Sequence, residues 1–71
     1  MELEGTSIRY YLPSGERGTL TVYDPSGRSI ESYRVQGEGK VAMRANLPSG
    51  VYFIKLEAGK ASVTKKVVVL R

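Results

Sequence analysis

The triplet Pro-Ser-Gly occurs three times in this 71-residue chain, at residues 13–15, 25–27 and 48–50. Proline fixes φ and glycine tolerates positive φ, so each triplet predicts a tight turn, and the serine within it is interpreted as a turn residue. The segments between the turns alternate apolar and polar residues, and none shows helical periodicity of useful length. The chain is therefore predicted to be all-β.

Alternation predicts six strands, which cover residues 6–12, 18–24, 29–35, 40–45, 51–56 and 61–70. The third of these is irregular, which indicates a bulge or an edge strand. A flexible turn is predicted at residues 36–39. Short strands separated by turns are typical of a small immunoglobulin-like β-sandwich, here of about six to seven antiparallel strands over residues 6–71. Residues 1–5 are predicted to be a lead-in or linker remnant.

Individual turn residues have assignable roles. Asp24, Pro25 and Gly27 occupy the first, second and fourth positions of a β-turn, where their backbone preferences are favoured. Pro48 begins the corner before the fifth strand, and Gly59 is predicted to close the hairpin that follows it.

The fifth strand carries Tyr52 immediately after the turn at 48–50. A tyrosine at such a corner is typical of immunoglobulin-like sandwiches, where the ring packs in the core and the hydroxyl bonds to the backbone upstream. Tyr52 shares one face of the strand with Ile54, whereas Val51 and Phe53 occupy the other face. Because both faces are apolar, a central strand covered on both sides is expected.

The composition argues against several classes of site. The chain lacks cysteine and histidine, so it has no disulfide, no thiolate metal site and neither the usual catalytic base nor the usual thiol nucleophile. Asp24 and Glu57 lie beside predicted turns but are too few for a calcium site. We expect a non-enzyme with no cofactor, no metal and no small-molecule substrate.

The net charge is +4, from eleven basic and seven acidic side chains. A basic excess can favour a polyanion, but these charges are spread along the chain, which is more typical of a solvated surface. A nucleic-acid-binding barrel with Tyr11, Tyr23 and Phe53 as stacking residues is therefore the less favoured alternative. No apolar run approaches a membrane span, and residues 1–5 lack the apolar region of a signal peptide.

The last strand ends in an apolar run, residues 67–70. Such a run is expected in the interior of a sheet or beneath a partner surface. Pairing of exposed strand edges, at residues 1–12 or 63–70, would instead build a filament or oligomer, and this self-association is the main alternative function.

Five segments of the chain share a recognisable pattern, namely residues 7–13, 22–28, 47–53, 56–59 and 65–71. Together they resemble the C-terminal sorting domain of type IX secretion cargo proteins, and residues 7–13 and 22–28 resemble that family's first two strands. A related immunoglobulin-like domain of flagellar hook-capping proteins shares much of the pattern. The resemblance implies a domain at the C-terminus of an exported bacterial protein, which the outer-membrane translocon recognises and which is often cleaved and replaced by a link to lipopolysaccharide.

The resemblance also implies which residues carry recognition. Gly50 and Tyr52 match the family's Gly-x-Tyr, and Lys66 with the following apolar strand matches its terminal motif. The candidate sorting residues are Gly50, Tyr52, Lys65, Lys66, Val67, Val68, Val69, Leu70 and Arg71. The expected partners are the translocon and a parent cargo domain, and the expected location is secreted or on the cell surface. An Asn-Pro element that usually precedes the family's first strand is absent from residues 1–5.

Overall fold

The computed structural model describes residues 1–4, 7–43 and 47–70. In these ranges it contains seven strands and one short 3₁₀ turn. They are β1 (Glu2–Glu4), β2 (Ser7–Tyr11), the 3₁₀ turn (Pro13–Gly15), β3 (Arg17–Tyr23), β4 (Ser29–Gln36), β5 (Glu38–Ala42), β6 (Gly50–Ala58) and β7 (Ala61–Val69). None of the described segments forms a helix able to span a membrane.

The strands form two sheets in which every pairing is antiparallel. A three-stranded sheet has the order β1-β2-β5, and a four-stranded sheet has the order β4-β3-β6-β7. The predicted fold class, a small β-sandwich of six to seven antiparallel strands, is confirmed. The strand β6, which follows the Tyr52 corner, is central as predicted, with β3 on one side and β7 on the other.

A single hydrophobic core joins the two sheets. Its fully buried centre is Ile8 from the three-stranded sheet together with Leu20, Val22 and Ile54 from the four-stranded sheet. Each of these side chains alternates with a more exposed neighbour along its strand, as the sequence pattern predicts. Burial of an aliphatic side chain of this size contributes about 1.5–3 kcal/mol, so these residues hold the two sheets together.

Two of the places where the chain crosses between the sheets, from β2 to β3 and from β4 to β5, are adjacent. Gly37 connects β4 to β5, and its backbone bonds to the other crossover: the Leu12 amide donates to the Gly37 carbonyl (2.8 Å), and the Gly37 amide donates to the Glu16 carbonyl (3.0 Å). The prediction of a flexible turn at residues 36–39 is therefore wrong. Gly37 alone separates the two strands, and its φ of 63° suits glycine.

Strand β4 has both features that its irregular pattern predicts. It lies at the edge of the four-stranded sheet. Its register with β3 shifts by one residue, because Val22 pairs with Glu31 whereas Tyr23 pairs with Ser29. Ile30 is thus the extra residue of a β-bulge, which explains why the apolar residues of this strand do not share one parity.

The segment predicted as a lead-in contains a strand. Glu2–Glu4 forms β1, whose Leu3 pairs with Ile8 of β2 and packs against the core. Met1, next to this strand, also packs against the core, so this segment is paired and packed. The division of the chain near residue 5 stays a prediction.

Candidate functional site

Tyr52 forms the predicted corner. Its ring is buried in the core, and its hydroxyl donates a hydrogen bond to the Pro48 carbonyl oxygen at 2.6 Å. Leu47, just before the turn, is also buried. The bond therefore ties the start of β6 to the turn before it, and the core holds both ends of that turn.

Gly50 lies where a second turn packs against this corner. A Cβ atom at Gly50 would be 3.1 Å from Cγ of Pro25 and 3.7 Å from Cε1 of Tyr52. Glycine at this position thus allows the turn between β3 and β4 to approach the start of β6. The first residue of the Gly-x-Tyr motif has a packing role, and it brings Pro25 and Pro48 to the same end of the sandwich.

The turn at Asp24 is held by its own side chain. Oδ1 of Asp24 accepts hydrogen bonds from the Ser26 amide (2.9 Å), the Ser26 hydroxyl (2.7 Å) and the Arg28 amide (2.9 Å). The Gly27 amide donates to the Asp24 carbonyl at 2.9 Å, and Gly27 has a φ of 89°. The hydrogen bonds to the Asp24 carboxylate, of which the one from the Ser26 hydroxyl has the largest effect, hold the pKa of Asp24 below its ordinary value of 3.8.

This pKa shift predicts a pH-dependent contribution to stability. Because folding lowers the pKa of Asp24, its carboxylate stabilises the folded state above pH 3.8, and that contribution is lost as the pH falls through the lowered pKa. Asp24→Asn keeps the oxygen acceptor but removes the charge. We expect the variant to be less stable at neutral pH, with the difference shrinking on acidification. Thermal unfolding across a pH series measures this, and a difference that stays constant with pH would contradict it.

The two parts of the candidate sorting motif are paired across β6 and β7. Gly50 pairs with Val69, and Tyr52 pairs with Val67, although they are far apart in sequence. Val67 and Val69 are buried against the core beside the Tyr52 ring. The Gly-x-Tyr corner therefore supports the end of β7 directly.

The remaining residues of that end face solvent. Lys65 and Lys66 are exposed, Val68 is 55% exposed and Leu70, just beyond the strand, is 84% exposed. Arg71 lies outside the described residues. Strand β7 is an edge strand, so the prediction that residues 67–70 lie in a sheet interior is wrong, and a partner surface above them stays a prediction.

The outer face of the four-stranded sheet, which points away from the three-stranded sheet, carries exposed apolar residues and the half-buried Tyr23 at the same end. Tyr23 pairs with Phe53, and Val51 pairs with Val68. Phe53 is 38% exposed. We name Tyr23, Val51, Phe53 and Val68 the outer-face patch. The prediction that this face of β6 is covered is wrong within the described chain, because the second sheet covers only the Tyr52 face.

The structure separates the aromatic side chains proposed for base stacking. Tyr23 and Phe53 are neighbours in the outer-face patch, whereas Tyr11 is exposed at the end of β2 in the other sheet. They form no continuous stacking surface.

Gly59, with a φ of 59°, lies in the turn between β6 and β7. Among the described residues there is no group of three or more acidic side chains able to hold a metal ion.

Comparison with known proteins identifies the family. The family model described as the secretion system C-terminal sorting domain matches residues 6–70. Searches of curated proteins and of solved structures give no match. Domains of this family are non-catalytic sorting signals of type IX secretion cargo, which is secreted or displayed on the cell surface. The match extends over both halves of the motif and both sheets, and the chain belongs to the family of secretion system C-terminal sorting domains.

Proposed function

We propose that the secretion machinery recognises the C-terminal end of β7 through the outward side chains of Lys66, Val68 and Leu70. The observation that supports this most is the alternation of buried and exposed side chains along the end of the strand. Val67 and Val69 are buried and hold the strand in place, whereas Val68 and Leu70 are exposed apolar side chains. Exposed apolar residues held on a rigid strand are suited to contact a protein partner.

The backbone of β7 supports the same proposal. Within the described residues β7 pairs with β6 alone, so the N–H and C=O groups of its other edge point away from the sheet. An unpaired edge can accept an added strand, and the side chains of alternate residues then provide specificity. A partner strand on this edge would lie beside Lys66 and Val68.

Gly50 and Tyr52 have a supporting role in this proposal. Both are occupied by packing: Gly50 accommodates Pro25, and the Tyr52 hydroxyl is bonded to Pro48. They act on recognition by fixing β6, to which the end of β7 is paired. Lys65 lies on the same face of β7 as the buried Val67 and Val69 but is itself exposed, and with Arg71 it remains a candidate contact.

The finer parts of the functional prediction follow from this mechanism. The module acts by binding, with no catalytic step, and its partners are the translocon and the cargo domain to which it is attached. Self-association through the strand edges at residues 1–12 or 63–70 stays an alternative prediction. The relation to the immunoglobulin-like domain of flagellar hook-capping proteins also stays a prediction.

Two exposed valines on β7 provide a matched test. Val68 is 55% exposed at the end that we assign to recognition, and Val63 is 47% exposed near the opposite end. We expect Val68→Asp to reduce secretion of a fused reporter several-fold, because the charge would be desolvated on binding. Val63→Asp introduces the same charge at a similar exposure, on the other face of β7, and should leave secretion unchanged.

The readout is the ratio of extracellular to periplasmic reporter in cells with type IX secretion. Circular dichroism of the isolated variants checks that both retain the β-sandwich. Equal secretion of the two variants would show that the end of β7 is not the recognised surface, without challenging membership of the family.

A further inference from the structure

Two arginines on the outer face of the four-stranded sheet lie beside a cleft far from the end of β7. The cleft has a volume of about 720 Å³, and its polar lining consists of Arg17, Thr19, Arg34, Gln36 and Glu57. We propose that this arginine cleft binds a phosphate group. The proposal is independent of the sorting function.

The strand register makes Arg17 and Arg34 near neighbours on the sheet. Thr19 of β3 pairs with Arg34 of β4, and Arg17 pairs with Gln36. Arg17 and Arg34 are therefore diagonal neighbours on one face. Residues in this relation are generally about 7–8 Å apart, a separation that long side chains can span. A single anion between them can be contacted by both.

The charges around the cleft favour an anion. Within the described part of the chain, neither Arg17 nor Arg34 has an ion pair, so two unneutralised positive charges line the same cleft. Glu57 also lines the cleft, but Nζ of Lys55 is 3.8 Å from its carboxylate oxygen Oε2 and offsets its charge. A bound anion would reduce the electrostatic repulsion between the two arginine side chains.

The chemistry of the lining favours phosphate in particular. Guanidinium groups present several N–H donors in a planar fork that matches the oxygens of phosphate. The Thr19 hydroxyl and the Gln36 amide are neighbouring donors between and beside the arginines. A doubly charged phosphomonoester matches two guanidinium groups better than a single carboxylate does.

The cleft and the outer-face patch lie at opposite ends of the same face. Phe53 of the patch and Glu57 of the cleft are four residues apart on β6, which corresponds to about 13 Å. A phosphate group in the cleft would leave the C-terminal end of β7 free. Both surfaces can therefore be occupied together.

The test is a titration of the isotope-labelled 71-residue protein with inorganic phosphate, followed by NMR at constant ionic strength. We expect saturable shifts of the Gly18, Thr19 and Arg34 amides. Arg17→Gln and Arg34→Gln should each weaken binding about tenfold or more, because a charge-assisted bond is lost. Lys40→Gln, which removes a positive charge from the other sheet, should leave the affinity unchanged.

A second measurement distinguishes the sources of the phosphate group. Cosedimentation with phosphatidylcholine vesicles that contain phosphatidic acid indicates a lipid headgroup, whereas phosphate binding without cosedimentation indicates a soluble phosphoryl compound. Non-saturable shifts spread over the basic residues, or equal weakening in Lys40→Gln, would overturn the proposal.

Discussion

Tyr52→Ala is expected to lower the free energy of unfolding by about 3–5 kcal/mol, the range for truncation of a buried aromatic side chain. A chain of this length has a total stability of about 4–10 kcal/mol on the per-residue scale, so the substitution removes a large part of it and unfolds the chain at the lower end of that range. The loss would also expose Val67, the cross-strand partner of Tyr52. Urea denaturation followed by circular dichroism measures the effect.

Tyr52→Phe separates the hydroxyl from the ring. It keeps the buried ring but removes the bond to the Pro48 carbonyl, and it should lower the free energy of unfolding by only about 0.5–1.5 kcal/mol. An unfolding midpoint of Tyr52→Ala that equals that of the unmodified chain would contradict the placement of the ring in the core.

The strand pattern and the Tyr52 corner could be predicted because both depend on neighbours in sequence. Alternation along β2 and β6 matches their burial, whereas β3 departs from it at Thr21, which is buried between Leu20 and Val22. A turn followed by Gly-x-Tyr indicates which upstream carbonyl the hydroxyl can bond. The bulge at Ile30 was detectable as a break in parity. Such local signals can be recognised in the sequence without knowing which strands are adjacent.

Contacts between distant segments were not predictable in the same way. Val51 and Phe53 suggested a covered face, but apolar alternation does not say on which side the second sheet lies. Gly18 looks like an ordinary strand start, yet a Cβ there would lie 2.6 Å from the Glu57 carbonyl oxygen and 3.2 Å from Cδ1 of Leu12. Only the assembled sandwich shows this close approach.

The candidate surfaces depend on strand register. The order of the motif was visible in the sequence, but the pairing of Gly50 with Val69 appears only when β6 and β7 are aligned. Arg17 and Arg34 are separated in the sequence, and only the pairing of β3 with β4 places them on one face of the sheet. The strand register places residues from different parts of the sequence on one surface.

Removal of residues 65–71 is expected to abolish secretion of an attached cargo, because it removes the end of β7 that we assign to recognition. This truncation also deletes the buried side chains of Val67 and Val69, so a loss of secretion could reflect unfolding. Removal of Leu70 and Arg71 alone avoids that problem. It leaves β7 complete at Val69 and should reduce secretion while the unfolding midpoint stays close to that of the intact chain.

The most direct measurement of the central claim is therefore the location of a reporter that carries a periplasmic export signal and the full 71-residue chain at its C-terminus. In cells with type IX secretion, the intact fusion should reach the cell surface or the medium, and the fusion lacking residues 65–71 should accumulate in the periplasm. The fusion lacking only Leu70 and Arg71, which keeps the buried side chains of β7, should shift in the same direction. Unchanged export of the truncated fusion, or retention of the intact one, would contradict the assignment of this chain as a sorting signal.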